Sequence, residues 1–352
     1  MQWRLFKYCS PFMLFALAWV SFNGNGWICF LPLIWTFVFI PLVELFIQPD
    51  ERNLDEAEAL IARADKRFDY LLYAVVVFQY ASLIYFLFSL QTQQPSTITI
   101  IGRVISMGLL CGIFGINVAH ELGYRANLFE RYLSLLLLLS SQYLHFFIEH
   151  NKGHHKRVAT MQDPASARLG ENIFSFYPRT ILFSYLSAWE IANKEVVKKQ
   201  HSVWSIYNQM IQFTLVQLLF LLAIGYFFGI QLLGFYLIAA FIGIGLLEAV
   251  NYIEHYGLSR KEIAAGKFER AMPIHSWNSN HLVGRMMLFE LSRHSDHHFM
   301  ASRKYQILQH HDAAPQLPTG YPGMMILAHI PPLYFFIIQR QMRKYQIATA
   351  ID

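Results

Sequence analysis

This 352-residue sequence predicts an all-α integral membrane protein, with about six transmembrane helices and a histidine-rich site gathered at one membrane face. Three observations carry that expectation. The chain is 55% hydrophobic and only 14% charged, whereas about a quarter of a soluble domain is charged. Six stretches stay apolar for roughly the 20 residues that a hydrocarbon core requires. Eight of the fifteen histidines stand in tight groups at or near the ends of apolar segments.

Taken in order, the spans fall at about 5–22, 26–47, 68–92, 98–119, 209–229 and 231–254. The whole chain, 1–352, reads as a single membrane-embedded domain, with polar regions at 120–208 and 255–320 that carry the chemistry. The first span has no small-residue cleavage site and runs directly into the second, so it reads as a retained anchor. Positive residues are held on the cytoplasmic side. The turns at Asn23-Gly24-Asn25-Gly26, Gln91-Thr92-Gln93-Gln94 and Phe228-Gly229-Ile230 carry no charge and are placed outside. Every histidine group then lies at the cytoplasmic end. Arg103, near the outer end of the fourth span, is expected to snorkel to the interface.

Leu133 to Ile148 is apolar enough to cross, but crossing would separate His150 from His120, and Ser140, Ser141 and Gln142 interrupt it. It is expected as a short helix packed within the bundle, where such an element is tolerated. Tyr321 to Gln339 reads as interfacial, broken by Pro331-Pro332 because proline removes backbone donors. Asp50 to Arg67 mixes charges at helical spacing, as a solvated helix does. Cys9, Cys29 and Cys111 lie in apolar stretches without a CxxC pair and read as ordinary buried thiols. The net charge of +5, with no basic tract interleaved with aromatics, argues against nucleic acid.

The histidine groups are His120; His150, His154 and His155; His255; and His294, His297 and His298. On a helix, residues three or four apart are neighbours, so His150 and His154 are expected on one face with His155 turned away. Six imidazoles in the two clusters exceed what one tetrahedral ion takes, which points to two metals. Imidazole suits iron, copper or zinc alike. Glu121, Glu149, Glu254 and Asp296 flank the groups and are the natural acceptors for the outward ring N–H of a ligand, although pairing with Arg157 or Arg293 competes. His145, His201, His275, His310, His311 and His329 read as hydrogen-bonded structural residues, and His281 falls between the two classes. His120-Glu121-Leu122-Gly123-Tyr124 misses the zinc-protease HExxH because Tyr124 stands at the second ligand position. The chain contains no GxSxG, GxxxxGK[ST] or GxGxxG, so hydrolysis at a nucleophile elbow and nucleotide binding have no support, and reducing equivalents must come from outside.

The runs Asn117-Val118-Ala119-His120-Glu121-Leu122-Gly123, Glu149-His150-Asn151-Lys152-Gly153-His154-His155, Asp163-Pro164-Ala165-Ser166-Ala167-Arg168, Asn251-Tyr252-Ile253-Glu254-His255-Tyr256-Gly257-Leu258 and Arg293-His294-Ser295-Asp296-His297-His298 resemble the membrane-bound alkane monooxygenases. Trp277-Asn278-Ser279-Asn280-His281 and Gly320-Tyr321-Pro322-Gly323-Met324 extend the likeness over about 40–335. That family lies within the membrane di-iron desaturases and hydroxylases. The resemblance implies a multi-pass protein of the bacterial cytoplasmic membrane, with two iron ions at its cytoplasmic end. Rubredoxin, supplied by a NADH-dependent reductase, would deliver electrons, and O2 would hydroxylate the terminal carbon of an alkane to a primary alcohol.

It also implies the ligands His120, His150, His154, His155, His255, His294, His297 and His298, with a ninth four residues after the first. Here that ninth position is Tyr124, whose phenol, with an ordinary pKa near 10, binds iron only when ionised; His145 is the one nearby imidazole able to stand in. Lys152, Lys156, Arg157, Arg303 and Lys304 are expected to steer an acidic carrier, or else to neutralise carboxylates or bind lipid phosphates. Three alternatives remain: a related hydroxylase or desaturase acting on aromatic methyl or fatty acyl groups, a non-enzymatic metal protein, and a member inactivated by Tyr124.

Overall fold

The computed structural model describes residues 2–92 and 95–347; Gln93 and Gln94 of the second uncharged turn lie outside the described residues. Among the described residues, six helices are long and apolar enough to cross a membrane: Arg4–Asn23, Gly26–Glu44, Arg67–Thr92, Thr97–Gly123, Gln209–Phe228 and Ile230–His255. The second ends three residues before the expected boundary, where Glu44 turns inward and its Oε1 accepts the Gly284 amide at 2.7 Å. The fourth runs past 119 to Gly123, so His120 sits on helix. The strand content of the described residues is one small antiparallel pair, Glu262–Ala264 with Lys267–Phe268.

Glycine brings the fourth and sixth spans together. A Cβ on Gly243 would stand 2.6 Å from the Cβ of Cys111 and 2.9 Å from the Gly112 amide, and one on Gly108 would stand 3.1 Å from the Ala239 carbonyl. Small residues at such crossings let backbones approach closely. The two C-terminal ends of these spans therefore lie side by side, and those ends carry His120 and His255.

The segment 133–148 is not one helix. Leu128–Ser140 ends where Gln142 takes a φ of 54°, and the chain restarts at Phe146–Ile148. This break returns the backbone to the end where His120 lies. A 26-residue helix, Ile173–Lys198, occupies the region read as a polar connection. Ile173, Phe176, Thr180, Ser184, Ser187, Ala188, Ala192 and Val196 form its buried stripe, at the three-and-four spacing of an amphipathic helix. Pro178, Arg179, Glu190, Lys194 and Glu195 interrupt its sequence and hide it from a search for continuous apolar runs. At the C-terminal end, Tyr321–Ala328 stops before Pro331–Lys344; the two prolines open the second helix, where a missing N–H costs nothing. Glu56–Ala64 buries only Ala62 and is capped by Asp55, whose side chain accepts the Glu58 amide at 2.7 Å.

Two expectations are corrected. Cys9 is exposed, unlike Cys29 and Cys111, because its helix turns that face outward. Arg103 does not reach a surface: it is 0% exposed and donates to the carbonyls of Ser89 at 2.7 Å and Gly24 at 2.9 Å. A guanidinium this deep is held because it satisfies backbone acceptors that the turns leave open. Together with the Phe88–Phe228 ring contact at 5.3 Å, the clasp gathers the three uncharged turns at the end of the bundle opposite His120. Arg103→Leu is expected to lower the unfolding midpoint in detergent by the equivalent of roughly 1.5–3 kcal/mol for each hydrogen bond lost to the charged donor, with Arg103→Lys recovering part of it.

Candidate metal centre

The eight histidines named from the sequence converge into two adjacent groups. His120, His150, His155 and His297 form one, and His154, His255, His294 and His298 the other; within each, the candidate ligand atoms all lie within 4.8 Å of one another. The groups touch, with the His155 and His298 rings stacked at 4.3 Å. Seven of the eight are buried, and His155 is half-buried.

The division of ligands between groups differs from the helical expectation. His150 and His154 belong to different groups, because Glu149–His154 is a π-helical turn. Its hydrogen bonds run from i to i+5, so residues about five apart come together and His150 joins His155. The short helix His294–Phe299 instead keeps ordinary spacing: His294 and His298 face one group while His297 faces the other. Each histidine cluster of the sequence thus supplies both groups.

The inward nitrogens suit a cation. Nε2 to Nε2 separations are 3.2 Å for His154–His298, 3.2 Å for His255–His294 and 3.0 Å for His155–His297. Nitrogens held about 2.1 Å from a common ion lie roughly 3–4 Å apart. His120 Nε2 and His150 Nε2 have no hydrogen-bond partner among the described residues, a burial that costs about 1–3 kcal/mol for each unsatisfied group and that coordination removes. Burial, reinforced by neighbouring imidazoles, holds the His150, His155, His294, His297 and His298 pKa values well below the usual range. They are accordingly neutral, the form that binds metal.

The carboxylates read as acceptors for ring N–H groups mostly have other partners. Glu121 accepts from Arg125 at 2.6 Å and from the Tyr305 amide at 3.2 Å. Glu149 accepts from Arg157 at 2.7 Å. Asp296 pairs with Arg303 at 2.5 Å and His311 at 2.7 Å. Sequence adjacency misled because neighbours on a helix point in different directions. Glu254 accepts from Tyr321 at 2.7 Å, and its other oxygen lies 3.2 Å from the inward Nε2 of His294. It therefore faces the centre instead of the outward nitrogen. The carboxylate that does hold an outward ring nitrogen is Asp163, 2.9 Å from His154 Nδ1 and anchored by Ser166. Against the burial that opposes it, the Asp163 charge and hydrogen bond raise the His154 pKa. Asp163 lies nine residues from His154 across a turn, beyond the reach of helical spacing.

Tyr124 stands beside the first group, its ring centroid 4.7 Å from His155 and 5.1 Å from His297. Its buried hydroxyl has no partner among the described residues, and burial, followed by Glu149, pushes the phenol well above its usual pKa. His145 does not compensate: it packs on Tyr143 at 4.3 Å and Tyr185 at 5.2 Å, outside both groups. His281 contacts Ser279 at 3.1 Å; His201, His275, His310, His311 and His329 likewise take other partners. The basic residues read as a steering patch are largely paired: Lys152 with Glu195, Arg157 with Glu149, Arg303 with Asp296 and Lys304 with Asp69. Lys156 is exposed.

An apolar cavity between the second, fourth and sixth spans ends at Glu254, beside His294 of the centre. Thr36, Gly112, Leu246 and Val250 line its length, and Asn117, Glu254 and Tyr321 line the part nearest the histidines. Asp163→Asn is expected to weaken metal retention 10- to 100-fold, the usual effect of removing a partner that orients a ligand, as read by competition with a chelator.

Residues 96–328 match the family model described as fatty acid desaturase. The chain is 39% identical over 312 residues to an alkane 1-monooxygenase of Pseudomonas putida, covering 88% of this chain and 77% of that one. It is 40% identical over 304 residues to an alkane 1-monooxygenase of Acinetobacter baylyi, covering 86% and 74%. It is also 27% identical over 275 residues to the hydroxylase component of a xylene/toluene monooxygenase of Pseudomonas putida, covering 77% and 72%. With paired histidine groups at one end of a bundle of membrane-spanning helices, the chain belongs to the fatty acid desaturase family, on its alkane 1-monooxygenase branch, and is a multi-pass membrane oxidoreductase.

Proposed function

We propose that this protein hydroxylates the terminal carbon of alkanes or similar aliphatic chains with O2, using two iron ions held by the two histidine groups. The observation that carries the reading is the placement of two four-imidazole groups beside the end of an apolar cavity. In the balanced reaction R–H, O2, two electrons and two protons give R–OH and water. The metal pair, when bound, supplies the activation of dioxygen and the removal of hydrogen from carbon. The protein contributes the rest. His120, His150, His155 and His297 would hold one ion; His154, His255, His294 and His298 would hold the other.

Nothing electronic favours a terminal methyl, so position must select it. The cavity follows the sixth span from Leu246 to Glu254, a length of about 12 Å at 1.5 Å per residue. An extended hydrocarbon advances roughly 1.3 Å per carbon when bonds of about 1.5 Å meet at tetrahedral angles, which gives room for roughly nine carbons. The cavity walls exclude water, and the Asn117 carboxamide, which donates to the Leu288 carbonyl at 3.3 Å, presents polar atoms near the point where a hydroxyl would form. Glu254, bonded to Tyr321, is placed to hold a proton beside the His294 ring.

Electrons are assigned to a rubredoxin-type carrier fed by a NADH-dependent reductase. Support comes from half-buried His155 and exposed Lys156 after it, which give an acidic carrier its nearest approach. The uncharged turns at the opposite end support an inner-membrane orientation with the centre facing the cytoplasm. A reading in which the substrate is an aromatic methyl group draws on the likeness to the xylene/toluene enzyme, and the higher identity to the alkane 1-monooxygenases favours the linear chain over it.

Detergent-purified protein from iron-replete cells is expected to carry about two irons per chain, as a two-metal site requires, and to convert octane to 1-octanol with rubredoxin, rubredoxin reductase and NADH. One iron or none, or zinc in its place, together with no alcohol, would overturn the reading. Tyr124→His is expected to slow iron loss in the presence of chelator; if it restores activity to an otherwise inactive protein, the natural Tyr124 form is degenerate. Val250→Trp is expected to leave the iron content intact and reduce kcat/KM by at least about tenfold for decane, because cavity filling removes binding energy worth about 1.4 kcal/mol per decade.

A further inference from the structure

We propose that Tyr143, hydrogen-bonded to buried Glu248 and linked through aromatic rings to His150 on one side and exposed Tyr185 on the other, is a redox station that drains oxidising equivalents from the centre when no hydrocarbon is in place. The proposal rests on the reading that the histidine centre reduces O2.

Tyr143 and Glu248 are each 2% exposed. The Tyr143 hydroxyl donates to Glu248 Oε1 at 2.8 Å, while Oε2 accepts from Thr180 at 2.8 Å and Asn251 at 3.1 Å. No basic side chain forms an ion pair with Glu248 among the described residues. An ionisable group at membrane depth is costly and is a candidate for function. Here the hydroxyl and amide donors make the carboxylate a fixed acceptor for the phenolic proton.

The ring path is continuous. His150 stacks on Phe146 at 4.5 Å between centroids, Phe146 lies 5.9 Å from Tyr143, Tyr143 lies 4.3 Å from His145, and His145 lies 5.2 Å from Tyr185. Tyr185 is 39% exposed, and Trp189 follows at 6.5 Å. Two other phenols approach the centre and lack one half of this arrangement. Tyr124 touches the histidines, but its hydroxyl has no acceptor. Tyr321 has Glu254 as acceptor, but among the described residues no aromatic ring packs against it.

In the step, Tyr143 gives one electron to the centre and its phenolic proton to Glu248. The phenol O–H bond breaks, a carboxylic O–H bond forms, and a neutral tyrosyl radical remains. A one-electron reductant of the class that feeds the centre, acting through Tyr185, restores the phenolate, and Glu248 returns the proton. Two such electrons replace the two that C–H oxidation would have supplied. O2 then takes four electrons and four protons to two waters, and no oxidant is left to damage the ligands.

The test mixes reduced, iron-loaded, full-length protein with O2, with and without octane, and freezes it for electron paramagnetic resonance. A tyrosyl signal is expected without octane and several-fold less with it. Tyr143→Phe should abolish the signal, and Glu248→Gln, which keeps the hydrogen bond but offers a weaker base, should diminish it. Both variants should form 1-octanol at near the wild-type rate and lose activity several-fold faster during cycling without substrate. A wild type that makes alcohol but no tyrosyl radical, or a signal that persists in Tyr143→Phe, overturns the station while the hydroxylase reading stands. Loss of iron and alcohol formation in both variants would show a structural role instead and also overturns it. If Tyr143→Phe fails to fold, Glu248→Gln alone decides, an undiminished signal being the overturning result. A wild type with neither iron nor alcohol removes the hydroxylase reading, and the station with it.

Discussion

Eight imidazoles packed together at the end of an apolar bundle create an electrostatic problem that the rest of the structure answers. All but His154, which Asp163 favours in its charged form, sit where neighbouring imidazoles would repel an added charge and burial would penalise it, and several have a nitrogen with no hydrogen-bond partner among the described residues. Such a cluster is costly as bare protein and becomes favourable only around cations. The glycine contacts between the fourth and sixth spans, the break at Gln142 and the π-turn at Glu149–His154 all serve to bring these rings within reach of one another.

Charge around the centre is arranged in closed pairs. Glu121 with Arg125, Glu149 with Arg157 and Asp296 with Arg303 hold the ligand-bearing segments to their neighbours. Buried pairs of this kind contribute little net stability but strongly penalise loss of either partner. Asp163 and Glu254 are different, because each places an oxygen beside a ring nitrogen of the eight grouped histidines. The first orients a ring from outside, while the second shares the interior with the end of the apolar cavity. On the proposed reading, that division separates the holding of metal from the handling of protons.

The fold and the candidate site were legible to different depths. Apolar run length gave the six long helices to within a few residues, because bilayer thickness imposes a length on any segment that crosses it. The 26-residue helix Ile173–Lys198 was invisible to that criterion, since its buried face is a stripe and not a continuous run. The membership of the histidine cluster was legible because eight rings with ligand chemistry recur at the ends of the apolar segments. Their allocation was not: a π-turn exchanges the expected neighbour His154 for His155, and no residue spacing announces it.

What the sequence by itself determined is therefore the solvent, the number of spans and the residue types available for chemistry, all of which follow from local composition. Tertiary structure decided the relations between distant segments. It paired His154 with Asp163 and Tyr143 with Glu248, turned His145 away from the centre, buried Arg103 against the Ser89 and Gly24 carbonyls and divided eight histidines into two groups. Each of these depends on which way a side chain leaves its element and on which backbone stops short beside it. Direction and proximity of that kind arise only when the helices pack.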